Sequence, residues 1–263
     1  MDVKGRTVLL TGASGGLGAA IAEALAQRGA RLLLSGRQRD RLEALAQRTR
    51  GEVLVGDLAV RGDVERLAAE AGDVDVLVAN AALPGSGRLE GYDVDGIDRV
   101  LDVNLRAPIV LARLLAPGML ERGSGHVVLM SSLAGRAPTV GQSLYVATKF
   151  GLRGFAGALR ADLHGSGVGV SAVFPGFIRD AGMFADSGVK LPAGVGTRSP
   201  RQVANAVVRG IERNRGEIDV APFSFRFGGW LFGGAPELVT RLTRAGGAAK
   251  VAQGLAEGQR DKR

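Results

Sequence analysis

Residues 7–18 read Thr7-Val8-Leu9-Leu10-Thr11-Gly12-Ala13-Ser14-Gly15-Gly16-Leu17-Gly18. The apolar run 7–10 has the length of a buried strand. The Ala-rich stretch 16–28 reads as a helix, and Gly29 stops it as a left-handed C-cap. A strand that enters a helix through glycines is the setting a dinucleotide-binding loop requires. One glycine permits the tight turn and another lets the backbone approach a pyrophosphate. Gly18 lets the helix pack closely on the sheet. The free N–H groups at the helix start then face the anion. In a chain with 41 glycines the same run can also be an empty turn.

Outward from this loop, short apolar runs alternate with helical patterns, the mark of βα units and a parallel sheet. Strands are expected at 31–35, 53–55, 74–79, 127–130, 169–174 and 217–220. Helices are expected at 40–48, 64–71, 94–120, 143–164 and 200–214. Pro108 and Pro117 should bend or break the fourth of the six helices, and Ser199 should cap the last. The fold class is α/β, a Rossmann-like doubly wound and mostly parallel sheet with helices on both faces, in a single domain. Residues 1–222 form the nucleotide-binding and catalytic domain. Residues 223–247 extend it, and 248–263 are a polar tail expected to fray. The segment 223–234 (FSFRFGGWLFGG) holds four of the nine Phe and the lone Trp. It can close the core, cover a pocket, pack on another subunit or touch a membrane interface.

Composition narrows the chemistry. The 263 residues contain no Cys, which excludes disulfides, thiolate nucleophiles and Cys-ligated metals. With two His, His126 and His164, no metal site is expected, and both read as structural. No charge-free apolar run of about 20 residues occurs, and no signal-peptide pattern precedes the first strand, so a cytoplasmic protein is expected. The net charge is +8. Residues 179–263 carry 14 basic and 8 acidic side chains, so most of the excess lies there. Aromatics are only 5%, and no basic run is interleaved with them, which argues against nucleic acid. Solvated Arg faces explain the excess, and an anionic substrate or partner is the other reading.

The spacing Thr11-Gly12-x3-Gly16-x-Gly18 resembles the short-chain dehydrogenase/reductase family. The likeness runs over about residues 4–180. It includes Asp57, Asn80-Ala81, Asn104, Ser132, Tyr145-x3-Lys149 and Pro175-Gly176 in order. The resemblance implies a nicotinamide cofactor and a homodimer or homotetramer. It implies cofactor contacts from Gly12, Ser14, Gly15, Gly16, Leu17, Gly18, Asn80, Ala81, Tyr145, Lys149, Pro175 and Gly176. Asp57-Leu58 would meet the adenine edge, and the backbone of Ile178 the carboxamide. Asn104 would hold the helix backbone and a water that links Lys149 to solvent.

Tyr145 and Lys149, four apart on a helix, share one face. A phenol has a reference pKa of about 10, and a nearby ammonium lowers it. Ser132 can donate to a carbonyl oxygen while Tyr145 gives or takes the proton; Ser131 competes for that role. The cofactor supplies the hydride. Where an NAD site carries an acid, about 20 residues past the loop, this chain has Gly36 followed by Arg37. A guanidinium there can clamp a 2′-phosphate, so NADP(H) is favoured and NAD(H) is possible. Leu133, Gln142, Phe177, Met183 and Phe184 are candidate substrate walls, in part on a Gly-dotted lid at 177–196. Ala79, Ala82 and Asp180 depart from the family pattern. The expected function is NADP(H)-dependent reduction of a ketone or aldehyde. The alternatives are an NAD(P)+-linked alcohol or hydroxysteroid-type dehydrogenase and a non-catalytic nucleotide-binding regulator.

Overall fold

A computed structural model describes residues 1–189, 191, 196–223, 225, 232, 237, 254, 255 and 257–259. The chain alternates β1 (Thr7–Thr11), α1 (Gly16–Ala26), β2 (Arg31–Gly36), α2 (Arg39–Thr49), β3 (Glu52–Val55), α3 (Arg61–Ala71) and β4 (Val76–Ala79). It continues through α4 (Val94–Leu101), α5 (Ala107–Glu121), β5 (Gly125–Met130), α6 (Ser143–Asp162), β6 (Val168–Pro175), α7 (Pro200–Arg213) and β7 (Glu217–Val220). The seven strands lie in the order β3-β2-β1-β4-β5-β6-β7, and every pairing is parallel.

A parallel sheet must be covered on both faces, which is why its strands are almost continuously apolar. Leu9, Leu77, Val127 and Leu129 point to the face covered by α3, α5 and α6, where they meet Leu67, Leu111 and Leu152. Val8, Leu10, Val76 and Val128 point the other way, to Ile21, Leu25, Leu45 and Val207 on α1, α2 and α7. The chain leaves β1 towards β2 on one side and later returns to β4 on the other. The C-terminal ends of β1 and β4 therefore open the crevice in which doubly wound folds bind ligands.

Ser199 caps α7 as the sequence predicts, in a reciprocal capping box with Gln202. The stretch 94–120 corrects the sequence reading. Neither Pro108 nor Pro117 breaks it. Pro108 sits in the first turn of α5, and the irregularity lies just before it, in a π-helical turn at Asp102–Arg106. A proline in a helix lacks its N–H and crowds the carbonyl four residues back, here that of Asn104. Widening that turn relieves both problems. Residues 94–121 are long and apolar enough to cross a membrane, but half of the most apolar window is buried, with Val100, Leu111 and Met119 in the core. His126 lies within β5, not before it, and is 2% exposed.

Most of 223–247 and 248–263, including Arg226 and Trp230, lies outside the described residues. Where the tail is described, Leu255 and Gln259 are 6% and 4% exposed.

Candidate active site

The crevice is held by Thr11, to which the sequence reading gave no role. Its buried hydroxyl accepts the N–H groups of both Asn80 and Ala81, each at 3.1 Å. The Asn80 side chain donates in turn to the carbonyls of Thr11 at 3.0 Å and Gly12 at 3.2 Å. Gly12 has φ of 65°, and a Cβ there would come within 2.7 Å of Ala81 Cα. A Cβ on Gly18 would collide with the Gly12 carbonyl oxygen. Both glycines are thus required by space. A strand-end hydroxyl just before a glycine turn was the available signal for Thr11.

Around this crevice lies a cleft walled by Gly12, Ser14, Gly15, Gly16, Leu17 and Gly18 on one side. Arg37, Asp57, Leu58, Asn80 and Ala81 wall the other. α1 begins without a side-chain cap at Gly15, so its positive end faces the cleft. Ser35 also lines the cleft; its hydroxyl is buried and, among the described residues, has no partner. An uncapped helix end, glycines with no space for side chains and an unmet hydroxyl fit a dinucleotide's phosphates and polar rings.

Asp57 accepts from Ala59 N at 3.0 Å and pairs with Arg99 at 2.9 Å. Burial opposes ionisation there, but the Ala59 bond, Arg99 and the more distant Arg37 outweigh it and hold the carboxyl below its ordinary range. The expected adenine contact must use the lone pairs that remain. Arg99 carries no sequence signal. Arg37 is exposed and, among the described residues, makes no ion pair.

The candidate proton-transfer residues lie at the ends of β5 and α6. Ser132 begins a short turn at Leu133–Gly135, where its Oγ accepts from Ala134 N at 3.2 Å. The Ser132 hydroxyl favours the Tyr145 phenolate, but burial is stronger and pushes that phenol up to about 12. Lys149 is 2% exposed, donates to the Met130 carbonyl at 2.9 Å and stands 5.4 Å from the centre of the Tyr145 ring. Burial brings its ammonium down to about 8. Lys149 together with the nicotinamide charge was expected to lower the Tyr145 pKa; within the protein itself, desolvation of the phenolate is the larger effect. Ser131 has a different task from Ser132. It donates to the Lys149 carbonyl at 2.9 Å and ties β5 to α6.

Asn104 also differs from expectation. It sits in the π-helical turn, fully buried, and both ends of its amide are engaged by Leu83, at 2.7 Å and 2.9 Å. It grips the loop after β4 and not its own helix backbone. Gly85 of that loop lies against the backbone of Tyr145.

At the end of β6, Pro175 pairs with Val220, and Gly176 packs between Ala221 and Leu133. Ile178 forms an isolated parallel bridge with Arg198, whose bonds come from residues 177 and 179. The Ile178 amide is thus not consumed by the pairing. Asp180 has φ of 71° and its carboxylate pairs with Arg179 at 3.3 Å. Among the candidate substrate walls, Phe177 and Phe184 are in ring contact at 5.0 Å, Leu133 touches Gly176, and Gln142 bonds Ser86 at 3.4 Å. Met183 also lines the cleft.

Residues 6–190 match the family described as short chain dehydrogenase. A ketoacyl reductase, HetN, of Nostoc sp. (strain PCC 7120) is 37% identical over 225 residues, 82% of this chain and 78% of that protein. The NADP-dependent 3-hydroxy acid dehydrogenase YdfG of Salmonella typhimurium is 36% identical over 178 residues, 65% of this chain and 72% of that protein. A short-chain dehydrogenase from Sphingobium yanoikuyae, solved in complex with NADPH, superposes with a TM-score of 0.78 at 31% identity. That match covers 89% of this chain and 95% of that one. The chain belongs to the short-chain dehydrogenase family and is an NAD(P)-dependent oxidoreductase.

Proposed function

We propose that this enzyme reduces a ketone or aldehyde carbonyl with NADPH as the preferred donor. The observation that carries the reading is the placement of Ser132, at the turn after β5, with Tyr145 and Lys149 on α6, where the Lys149 ammonium stands 5.4 Å from the centre of the Tyr145 ring. Reduction requires a proton donor at the developing alkoxide, and the protonated phenol is that donor. Ser132 shares the substrate oxygen with Tyr145 and stabilises its growing charge. Lys149, with a pKa of about 8, is placed to return a proton to Tyr145. Asn104 is a positioning residue, since it fixes Leu83 in the loop that carries Gly85 to Tyr145. When bound, the nicotinamide supplies the hydride. Arg37, exposed at the cleft and without an ion pair, suits a 2′-phosphate.

The test is Tyr145→Phe. The variant should bind NADPH as the wild type does, by fluorescence titration. Its consumption of NADPH over a panel of ketones and aldehydes should fall about 10³-fold. Retained turnover would remove Tyr145 from the reaction.

A further inference from the structure

The loop 179–189 leaves a base that is closed on both sides of Ile178. Arg198 N donates to the Phe177 carbonyl and Arg179 N to the Arg198 carbonyl, each at 2.9 Å. Beyond the base, Asp180 and Gly182 take φ of 71° and 88°, and the chain folds back over the glycine loop. Ala181 Cβ stands 2.6 Å from the place a Cβ on Gly16 would occupy. Gly182 and Met183 become part of the cleft wall. The loop holds its own shape, with Asp186 N donating to the Gly182 carbonyl at 2.9 Å and Ser187 Oγ to the Phe184 carbonyl at 2.6 Å. It can therefore move as one piece about its strained start.

Its outer side is held by the C-terminal segment. A Cβ on Gly254 would stand 2.9 Å from Val189 Cγ2, and one on Gly258 would collide with the Ser187 carbonyl oxygen. Gln259 is 4% exposed, and its Nε2 donates to the Met183 carbonyl at 2.9 Å. The contacts run in opposite chain directions, 254 to 189 and 259 to 183, as a strap laid along the loop. At Met183 the strap bonds to the residue that lines the cleft. Among the described residues, Gln259 Oε1 is buried without a partner. The catch thus satisfies one end of the carboxamide and leaves the other unmet, which makes the closed position only slightly favourable.

We propose that Gln259 is a positioning residue that holds Met183 against the dinucleotide cleft, so that the C-terminal segment governs cofactor release. This rests on the dinucleotide reading of the cleft. Met183 shields the glycine loop when Gln259 is engaged and swings clear when that bond opens together with the strap's packing at Ser187 and Val189.

The test uses the full chain with Gln259→Ala and Gln259→Met, the second of which keeps volume without the donor. Hydrogen exchange of the 182–189 amides is measured without cofactor, and NADPH dissociation by stopped-flow fluorescence. Both variants should exchange faster at 182–189 and release NADPH about fivefold faster, the effect of one lost hydrogen bond. Exchange in α6 and the Tm should stay at wild-type values. Unchanged exchange and release in Gln259→Ala would overturn the proposal, as would wild-type behaviour of Gln259→Met, which would reduce the contact to packing. If the Gln259 variants do not fold, Gly258→Ala displaces the strap at Ser187 and should give the same two changes; unchanged values there overturn the proposal. A wild-type protein that binds neither NADPH nor NADH would overturn the dinucleotide reading, while exchange at 182–189 would still decide whether the catch exists.

Discussion

The two halves of the site are made of different material. The dinucleotide half is mostly backbone, with glycines packed against Ala81 and the Gly12 carbonyl and with Thr11 and Asn80 completing each other's hydrogen bonds. The proton-transfer half is three side chains from two elements, of which Tyr145 and Lys149 both have pKa values displaced by burial. A backbone site is preorganised because its groups already belong to strands and turns, and only bulk can spoil it. A side-chain site needs its groups half-satisfied and desolvated, which costs stability and makes each atom count.

Lys149→Met breaks this comparison on the side-chain half, with the largest effect. Turnover should fall by about 10² to 10⁴. In the wild type, reduction should weaken as pH rises through about 8, where Lys149 loses its proton, and the variant should lack that limb. The same change should stabilise the fold. The folded pKa lies below the ordinary lysine value of 10.5, so the unfolded chain holds this proton more tightly, and at neutral pH the buried ammonium opposes folding. Roughly 3 kcal/mol of that penalty is released, less about 1 kcal/mol for the bond to Met130. A higher Tm together with lost activity is the expected pair, and a lower Tm would contradict the burial argument.

Gly18→Ala tests the backbone half. The new Cβ meets the Gly12 carbonyl oxygen, so α1 must shift from the crevice. Urea unfolding should show a loss of about 1–3 kcal/mol. NADPH and NADH binding should weaken together, because the phosphates they share lie at that turn. Arg37→Ala gives the smallest and most selective effect. NADPH affinity should fall about tenfold with NADH unchanged, as for one exposed charge-assisted contact. Equal losses for the two would make Arg37 a surface charge.

The backbone half was also the more legible one. Glycine spacing between an apolar run and an Ala-rich helix encodes local geometry, and the six walling residues from Gly12 to Gly18 stand where the sequence places them. Apolar runs likewise reveal a parallel sheet, since both of its faces are covered. Tyr145 and Lys149 were readable because one helix carries both. What the sequence hid depends on distance in the fold. Nothing around Arg99 announces Asp57, and nothing around Gln259 announces Met183. The burial of Tyr145 was hidden too, because a neighbouring lysine is visible in a sequence and desolvation is not. Asn104 was found by motif, but its grip on Leu83 depends on the π-helical turn.

That turn carries a consequence for how such a chain can change in length. An α-helix advances about 100° per residue. The surplus residue between Asp102 and Arg106 sets α4 and α5 out of phase by one such step. Deleting one residue there would barely alter composition and would look harmless in a hydropathy profile. It would nonetheless rotate Arg99 from Asp57 and Val100 from the core, or else move Leu111 and Leu115, with Asn104 losing Leu83 in either case. The stretch should therefore accept many exchanges of letter and almost no change of count.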